Sequence, residues 1–374
     1  MSVDVVRLTR DLVSIDTIGH DESRALAVVA PLLEQAGFTV DIEEHEPGRG
    51  TLVAQWHTGL DQPPLCLSGH VDTVPLGIAR WRHDPFNAEP DGDRLYGRGT
   101  ADMKGGVAAI VAAASKLGAT RPKRAGLRLV LTSAEETGSQ GARHAVQRLR
   151  GEPSGPLVIT EPTGNALLHG HKGALWLSAQ ASGVTAHGSM PHLGDNAVYK
   201  LAEAVTRLRD HSFDVPAHPV LGAPTLNVGT FHGGLNTNSV PDAAEATVDV
   251  RTVAGQDHAE VLASLGERLG PQVRLRPMVD LPAVWTDADD EWAASAAEVV
   301  REVTGGDGKH TGPRAATYFT DASVLTPALG SVPTVICGPG EPEQAHVTDE
   351  WVSIRKLAES VAILERLCLN WCGL

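Results

Sequence analysis

The sequence predicts an α/β fold: a mostly parallel sheet flanked by helices, interrupted by an inserted α+β domain of ferredoxin-like order. Three observations predict it. Apolar strand-like runs alternate with helical segments over residues 1–172 and the pattern resumes after 283. Between 173 and 282 the order becomes strand, helix, strand, strand, helix, strand, which is a complete split β-α-β-β-α-β unit. The composition is aliphatic, 42% hydrophobic but only 4% aromatic, which suits α/β packing better than a platform of stacking rings. Ordinary domain sizes divide 374 residues into two domains, here 1–172 with 283–374, and 173–282.

The elements follow in order. The start, MSVDVVRLTRDLVSIDT, reads as an amphipathic helix charged at Asp4, Arg7, Arg10 and Asp11, with no uninterrupted apolar stretch of signal-peptide length. A hairpin-like segment spans 38–57, then strand 65–68, helix 106–117, strand 127–132, helix 141–150 and strand 157–160. Strands separated by helices imply right-handed crossovers and a parallel sheet. The insertion reads as strand 174–181, helix 196–209, strands 225–230 and 245–251, helix 258–269 and strand 273–277. The first fold resumes with helix 289–303, strand 334–337 and a closing helix 349–370 with Asp349 as its N-cap. The two chain crossings, near Gly173 and Pro282, predict a hinge.

A formal charge of −15 argues against nucleic acid, since neutralising phosphates requires a basic surface. No transmembrane stretch is present, so no membrane partner is expected. Cys66, Cys337, Cys368 and Cys372 lack framework spacing and read as buried thiols of a cytoplasmic protein.

Adjacent carboxylates at the end of an apolar run, Glu135 and Glu136 in LRLVLTSAEE, carry the functional argument. Burying like charges side by side costs several kcal/mol per unpaired group, as an order of magnitude, unless cations lie beside them. Similar runs end at His70 (PLCLSGH) and Glu161 (PLVITE), and a further candidate lies at His346. Parallel sheets bind ligands at the carboxyl ends of their strands, so the crossovers gather these residues at one rim. Asp72, two residues after His70, can take one imidazole N–H and leave the other nitrogen for a metal. Asp102, framed by Gly97, Gly99, Gly105 and Gly106, can bridge two ions. Glu136 is assigned to a metal and Glu135 to taking a proton from bound water. Each residue has an alternative reading: a core histidine with a capping aspartate, an N-cap at Asp102, an exposed acidic helix start, a turn glutamate before Pro162 and a surface histidine at 346. Mixed imidazole and carboxylate ligands suit two divalent ions, zinc first, with cobalt or manganese as alternatives.

The motifs SGHVDTVP, GRGTADMKGG, TSAEETG, ITEPT and GPGEPEQAHVTDE, in that order, resemble the dizinc aminoacylase and carboxypeptidase metallopeptidases, which include acetylornithine deacetylase, succinyl-diaminopimelate desuccinylase and glutamate carboxypeptidase. The resemblance implies a zinc-peptidase-like catalytic domain in which His70, Asp102 and Glu161 hold one ion and Asp102, Glu136 and His346 the other. It makes Glu135 the general base and Asp72 the orienting acid. The insertion becomes a lid and dimerisation domain of a homodimer. GVTAHGSMPHLGDNA places an oxyanion-stabilising histidine at His187, acting in its own subunit or across the dimer, unless that residue is merely a buried hydrogen-bonding group; His192 is read as structural. Asn238 (NTNSVPD), Arg251 (VDVRT) and Gly338 match substrate-holding positions, although Arg251 could equally be a salt-bridging strand residue.

The implied reaction is metal-assisted hydrolysis of the amide of an N-acyl amino acid, with carboxypeptidase or dipeptidase action on a short peptide as the alternative. A catalytically silent relative would be expected to lack a ligand or the base, and none is missing. A two-metal phosphoesterase is the remaining reading from the ligands alone.

Overall fold

The structure is a computed structural model that describes residues 3–118, 120–306 and 312–374. These form two compact units, one within Met1–Gly170, Trp285–Arg314 and Thr320–Leu374, the other comprising His171–Val284 and Ala315–Phe319.

In chain order the first unit begins with α1 (Val5–Val13) and α2 (Glu22–Gln35), the hairpin β1 (Thr39–Glu46) and β2 (Arg49–Trp56), and β3 (Leu65–His70). Two short strands follow, β4 (Glu89–Asp91) and β5 (Arg94–Tyr96), then α3 (Gly105–Leu117), β6 (Leu127–Thr132), α4 (Gln140–Leu149) and β7 (Leu157–Pro162). The two-residue strand β8 (Gly170–His171) stands where the chain leaves for the second unit. That unit contains β9 (Gly173–Ser182), α5 (Ala197–Leu208), β10 (Thr225–Gly233), β11 (Ala243–Thr252), α6 (His258–Leu269) and β12 (Val273–Leu281). The chain returns through β13 (Val284–Trp285) to α7 (Glu291–Thr304), α8 (Ala322–Ala328), β14 (Thr334–Gly338), β15 (Trp351–Ser353) and α9 (Ile354–Cys372).

The main sheet of the first unit has the order β1-β2-β6-β3-β7-β14. Strands β6, β3, β7 and β14 run parallel, and the β1–β2 hairpin adds an antiparallel edge through the β2–β6 pairing. Every residue of the four parallel strands is buried, which explains why they read as continuous apolar runs rather than alternating ones. Helix α3, GGVAAIVAAASKL, buries all its residues except Lys116 and packs against α9. Such a helix is core on every side, and Ile110→Ala should cost roughly 2–5 kcal/mol.

The second unit has the sheet order β10-β11-β9-β12, antiparallel throughout. Its core joins Leu201, Leu208, Leu265 and Leu269 of α5 and α6 to Leu175, Leu177, Val248 and Val250 of the sheet. Asn196 and Asp257 cap the two helices, each accepting backbone N–H bonds. The segment Ala315–Phe319, placed with the first domain by its sequence position, groups with this unit. Lys172 N–H donates to the Ala316 carbonyl at 3.1 Å, and the Phe319 ring sits edge-on to Trp176 with centroids 5.8 Å apart.

Asp349 is not the N-cap of the closing helix. Ser353 is, its hydroxyl accepting from Lys356 N–H, because residues 351–353 are drawn into a three-stranded sheet with β5 and β4. Asp349 instead accepts from the backbone and Nε of Arg82, both at 2.7 Å. All four cysteines are buried and free. Among the described residues no helix is long and apolar enough to cross a membrane.

Candidate active site

The carboxyl ends of β3, β6 and β7 deliver His70, the Glu135–Glu136 turn and Glu161 to one place in the first unit. Glu135 and Glu136 lie in a tight turn after β6, entered through Ala134 with φ +56°. Asp102 is not an N-cap either: α3 begins at Gly105, and Asp102 sits in a wound segment, Thr100–Lys104, with φ −124° and ψ 94°. Two glycines let that segment pass. Gly99 has φ +82°, and a Cβ at Gly106 would lie 2.3 Å from the Thr160 carbonyl.

Asp102 joins two clusters. Its Oδ1 is 3.2 Å from His70 Nε2, which is also 3.6 Å from Glu161 Oε1. Its Oδ2 is 3.4 Å from His346 Nε2, which is 3.1 Å from Glu136. One ligand-type atom from each of His70, Glu135 and Glu161 lies within 4.8 Å of the others, and the same holds for His70, Asp102 and Glu136. All the residues that the sequence assigns to metal are therefore together, with Glu135 among them. His70, Asp102, Glu135 and Glu161 are buried, Glu136 is half-buried and His346 is exposed.

Asp72 does more than expected. The nearest acceptor for His70 Nδ1 is the Asp72 backbone carbonyl at 3.1 Å, with Oδ1 at 3.4 Å. The same carboxylate accepts the N–H groups of Glu135 and Glu136, each at 3.1 Å, and so fixes the turn as well as the imidazole.

The electrostatics follow from crowding. Burial, then the Glu161 charge, pushes the Glu135 carboxyl well above its ordinary range, and burial followed by Asp102 does the same to Glu161. Burial would lower His70, but Glu161 and hydrogen bonds to Asp102 and Asp72 raise it well above the usual imidazole range. Hydrogen bonds to Asp102 and Glu136 raise His346 to about 10. Burial alone would raise Asp102, yet the bonds from His346 and His70 bring it below the ordinary carboxylate range. Each like-charge pair at about 4 Å costs roughly 4 kcal/mol at an effective dielectric near 20. Four carboxylates facing two imidazoles are thus short of positive charge, and the buried Glu135 Oε1 has no hydrogen-bond partner. Two divalent cations fit this donor set.

Two buried acids were missed by sequence reasoning. Asp321 accepts the Thr132 hydroxyl at 2.5 Å on Oδ2, and burial raises it to about 6. Glu350 accepts four hydrogen bonds from residues 98–102. Neither ends an apolar run in a recognisable motif, and the one local signal that could have found Glu350 is the aspartate–glutamate pair closing HVTDE.

The remaining candidates belong to the second unit, apart from Gly338. His187 is exposed, not buried; its Nδ1 accepts the Ser189 N–H at 3.2 Å and contacts the Ser189 hydroxyl at 2.7 Å, so the ring proton sits on Nε2. Asn238 is its neighbour, with the Gly188 N–H donating to the Asn238 carbonyl at 2.7 Å. His192 is also exposed. Arg251 pairs with Asp249 at 3.0 Å and lies 6.0 Å from the Trp176 ring centre. Gly338 ends β14, where a Cβ would lie 2.0 Å from the Thr160 carbonyl. Its N–H donates to the Thr163 hydroxyl and its carbonyl accepts the Asn165 N–H, so its polar groups face the chain itself and its place in the structure is one of close packing.

Residues 66–370 match the model of Peptidase family M20/M25/M40. An acetylornithine deacetylase of Vibrio atlanticus (strain LGP32) is 30% identical over 97% of this chain and 97% of its own. One from Aliivibrio salmonicida (strain LFI1238) is 31% identical over 94% and 93%. Among solved structures, an M20 family metallo-carboxypeptidase from Sulfolobus solfataricus superposes with a TM-score of 0.81 at 18% identity, covering 99% of this chain and 100% of that one. A dinuclear metal binding peptidase of the M20 family from Bacillus subtilis gives 0.71 at 16%, covering 99% and 98%. At these identities the structural likeness is one of fold. With the matched family spanning most of the chain and a cluster of imidazoles and carboxylates assembled at the sheet rim, the chain belongs to Peptidase family M20/M25/M40 and is a hydrolase of that family.

Proposed function

We propose that the chain hydrolyses the amide bond of an N-acyl amino acid using two divalent cations, zinc first, with cobalt or manganese able to serve. The observation that carries the proposal is Asp102, whose two oxygens face two separate imidazoles beside the unpartnered Glu135 Oε1. The relatives at 30–31% identity, named acetylornithine deacetylases, support this substrate class. His70, Asp102 and Glu161 would hold one cation, and Asp102, Glu136 and His346 the other. Bound there, the cations would lower the pKa of a water molecule toward neutrality and polarise the scissile carbonyl.

The chain's own groups then act in order. Glu135 takes a proton from the attacking water and later returns it to the departing nitrogen. Asp72 holds His70 through Nδ1 and the Glu135 turn through its N–H groups, so base and ligand share one anchor. His187 donates Nε2–H to the oxyanion, assisted by Asn238. Arg251 exchanges Asp249 for the substrate carboxylate, a grip suited to the planar guanidinium.

The second unit would serve as a lid and as the surface of a homodimer, supported by its exposed apolar side chains Leu193, Tyr199 and Leu235. Four free buried thiols support a reducing, cytoplasmic setting. The test is an assay of the metal-loaded and chelator-stripped chain on acetylornithine, succinyl-diaminopimelate, acyl-glutamates, dipeptides and a phosphoester. The proposal expects cation-dependent hydrolysis of the N-acyl amino acids above all. Preference for dipeptides would move the chain to the peptidase reading, and activity without cations would overturn both.

A further inference from the structure

The wound segment carrying Asp102 is held by a single carboxylate that comes from 249 residues away in the chain. Glu350 is fully buried, and both of its oxygens are occupied. Oε1 accepts the N–H groups of Ala101 at 2.8 Å and Asp102 at 3.1 Å. Oε2 accepts the Gly99 N–H at 2.9 Å and Arg98 Nη1 at 2.7 Å. The Gly97 N–H donates to the backbone carbonyl of Glu350 at 2.9 Å. Arg98, also buried, reaches on through Nη2 to the Pro75 carbonyl at 3.2 Å, in the loop that follows His70 and Asp72. Four residues before Glu350 on the same stretch stands His346, whose Nε2 lies 3.4 Å from Asp102 Oδ2. One five-residue stretch thus grips Asp102 twice, by its carboxylate through His346 and by its backbone through Glu350.

From this double grip we infer that Glu350 is a positioning residue that sets the spacing between Asp102 and His346, and thereby the affinity of the second of two cation sites. The inference rests on the dinuclear reading above. His70 and Glu161 come from β3 and β7, whereas the hydrogen bonds of Glu350 go to residues 97–102, so the first site keeps two ligands in place when Glu350 changes. The second site relies on Asp102 and His346, both positioned through the stretch that ends in Glu350. A glutamine is not equivalent. Its amide NH2 would face either two backbone donors or a backbone donor and a guanidinium, and donors facing donors must separate.

The experiment is equilibrium titration of the chelator-stripped full chain with zinc, together with hydrogen exchange of the peptide spanning residues 97–104. The wild type should bind two cations. Glu350→Gln should bind the first nearly as the wild type does and the second on the order of 10–100-fold more weakly, the usual cost of removing a group that supports a metal ligand. Exchange at 99–102 should quicken, and raising the zinc concentration should restore hydrolysis. Glu350→Asp, which keeps the charge but shortens the reach, should fall between the two and guards against failure of the glutamine variant to fold. Wild-type affinity at both sites in the folded variants, or equal loss at both, overturns the proposal. A wild type that binds fewer than two cations overturns the dinuclear reading itself, and this inference with it.

Discussion

In the first unit His70, Asp102, Glu135 and Glu161 are buried and tied to one another or to Asp72 within 3.6 Å, whereas in the second His187 and Asn238 stand exposed on two neighbouring connections and Arg251 holds a partially exposed aspartate. Under the proposed function this difference separates two tasks. Groups that hold cations and move protons gain strength from a low-dielectric, pre-ordered setting, and they need neighbours to offset the cost of burying charge. Groups that meet a substrate must be open to it, and a single local partner suffices to orient them. Removing a residue from the first set should therefore damage the chemical step, and removing one from the second should weaken the meeting with substrate or transition state.

The largest effect expected is at Glu135. Glu135→Gln should lower kcat by at least roughly 10²–10⁴-fold, with cation content and circular dichroism unchanged. Near-wild-type turnover in the metal-loaded variant would remove Glu135 as the base. Next is His187→Gln. Loss of one oxyanion donor should lower kcat by about 10²–10³-fold, and mixing this variant with Glu135→Gln distinguishes the two modes of action. Recovered activity in mixed dimers would mean that His187 works across subunits, and no recovery that it works within its own. Smaller again is Arg251→Met, which should raise KM by roughly 10–100-fold with kcat little changed, since a hydrogen bond to a charged group is worth about 1.5–3 kcal/mol. A fall in kcat alone would instead mark Arg251 as a partner of Asp249 and no more.

Legibility in the sequence followed the same division between local and distant causes. Strand β6 and helix α6 lie where the sequence puts them, because a fully buried apolar run and a helix bracketed by Asp257 and Gly270 are decided by their own residues. Most of the clustered side chains were legible because a local signal marks them: an apolar run at His70 and Glu161, a glycine cluster at Asp102 and a paired carboxylate at Glu135 and Glu136. Helix α2 escaped notice, with Pro31 inside it and Asp21 at its start in a left-handed conformation without a side-chain cap bond. Strands β4, β5 and β15 are three residues each, too short to show a period of two, and recruitment of Trp351–Ser353 into their sheet displaced the expected start of α9. Glu350 and Asp321 act on residues 189 to 252 positions away, and no local pattern announces such partners.

The smallest effect concerns stability and contrasts one buried histidine of the second unit with two histidines of the first. His171, fully buried in the second unit, donates Nδ1–H to the Lys172 carbonyl at 2.9 Å and leaves Nε2 without a partner, so burial lowers it to about 4. In the unfolded chain the same group titrates near 6.5. Between those values the unfolded state takes up a proton that the folded state refuses, so this contribution is intact above pH 6.5 and is lost as the pH falls toward 4. Its slope is at most about 1.4 kcal/mol per pH unit. In the cation-free chain His70 and His346 are raised instead, and their contribution is present below pH 6.5 and lost as the pH climbs. His171 should therefore respond to pH in the opposite sense to His70 and His346 when the chain is stripped of cations. Urea unfolding of wild type and His171→Gln at pH 5 and pH 7.5 isolates the first effect, because ligand protonation is common to both proteins. The stability gap between them should narrow at pH 5. A gap that stays constant would mean that His171 carries the same charge folded and unfolded, and would remove its side of the contrast with His70 and His346.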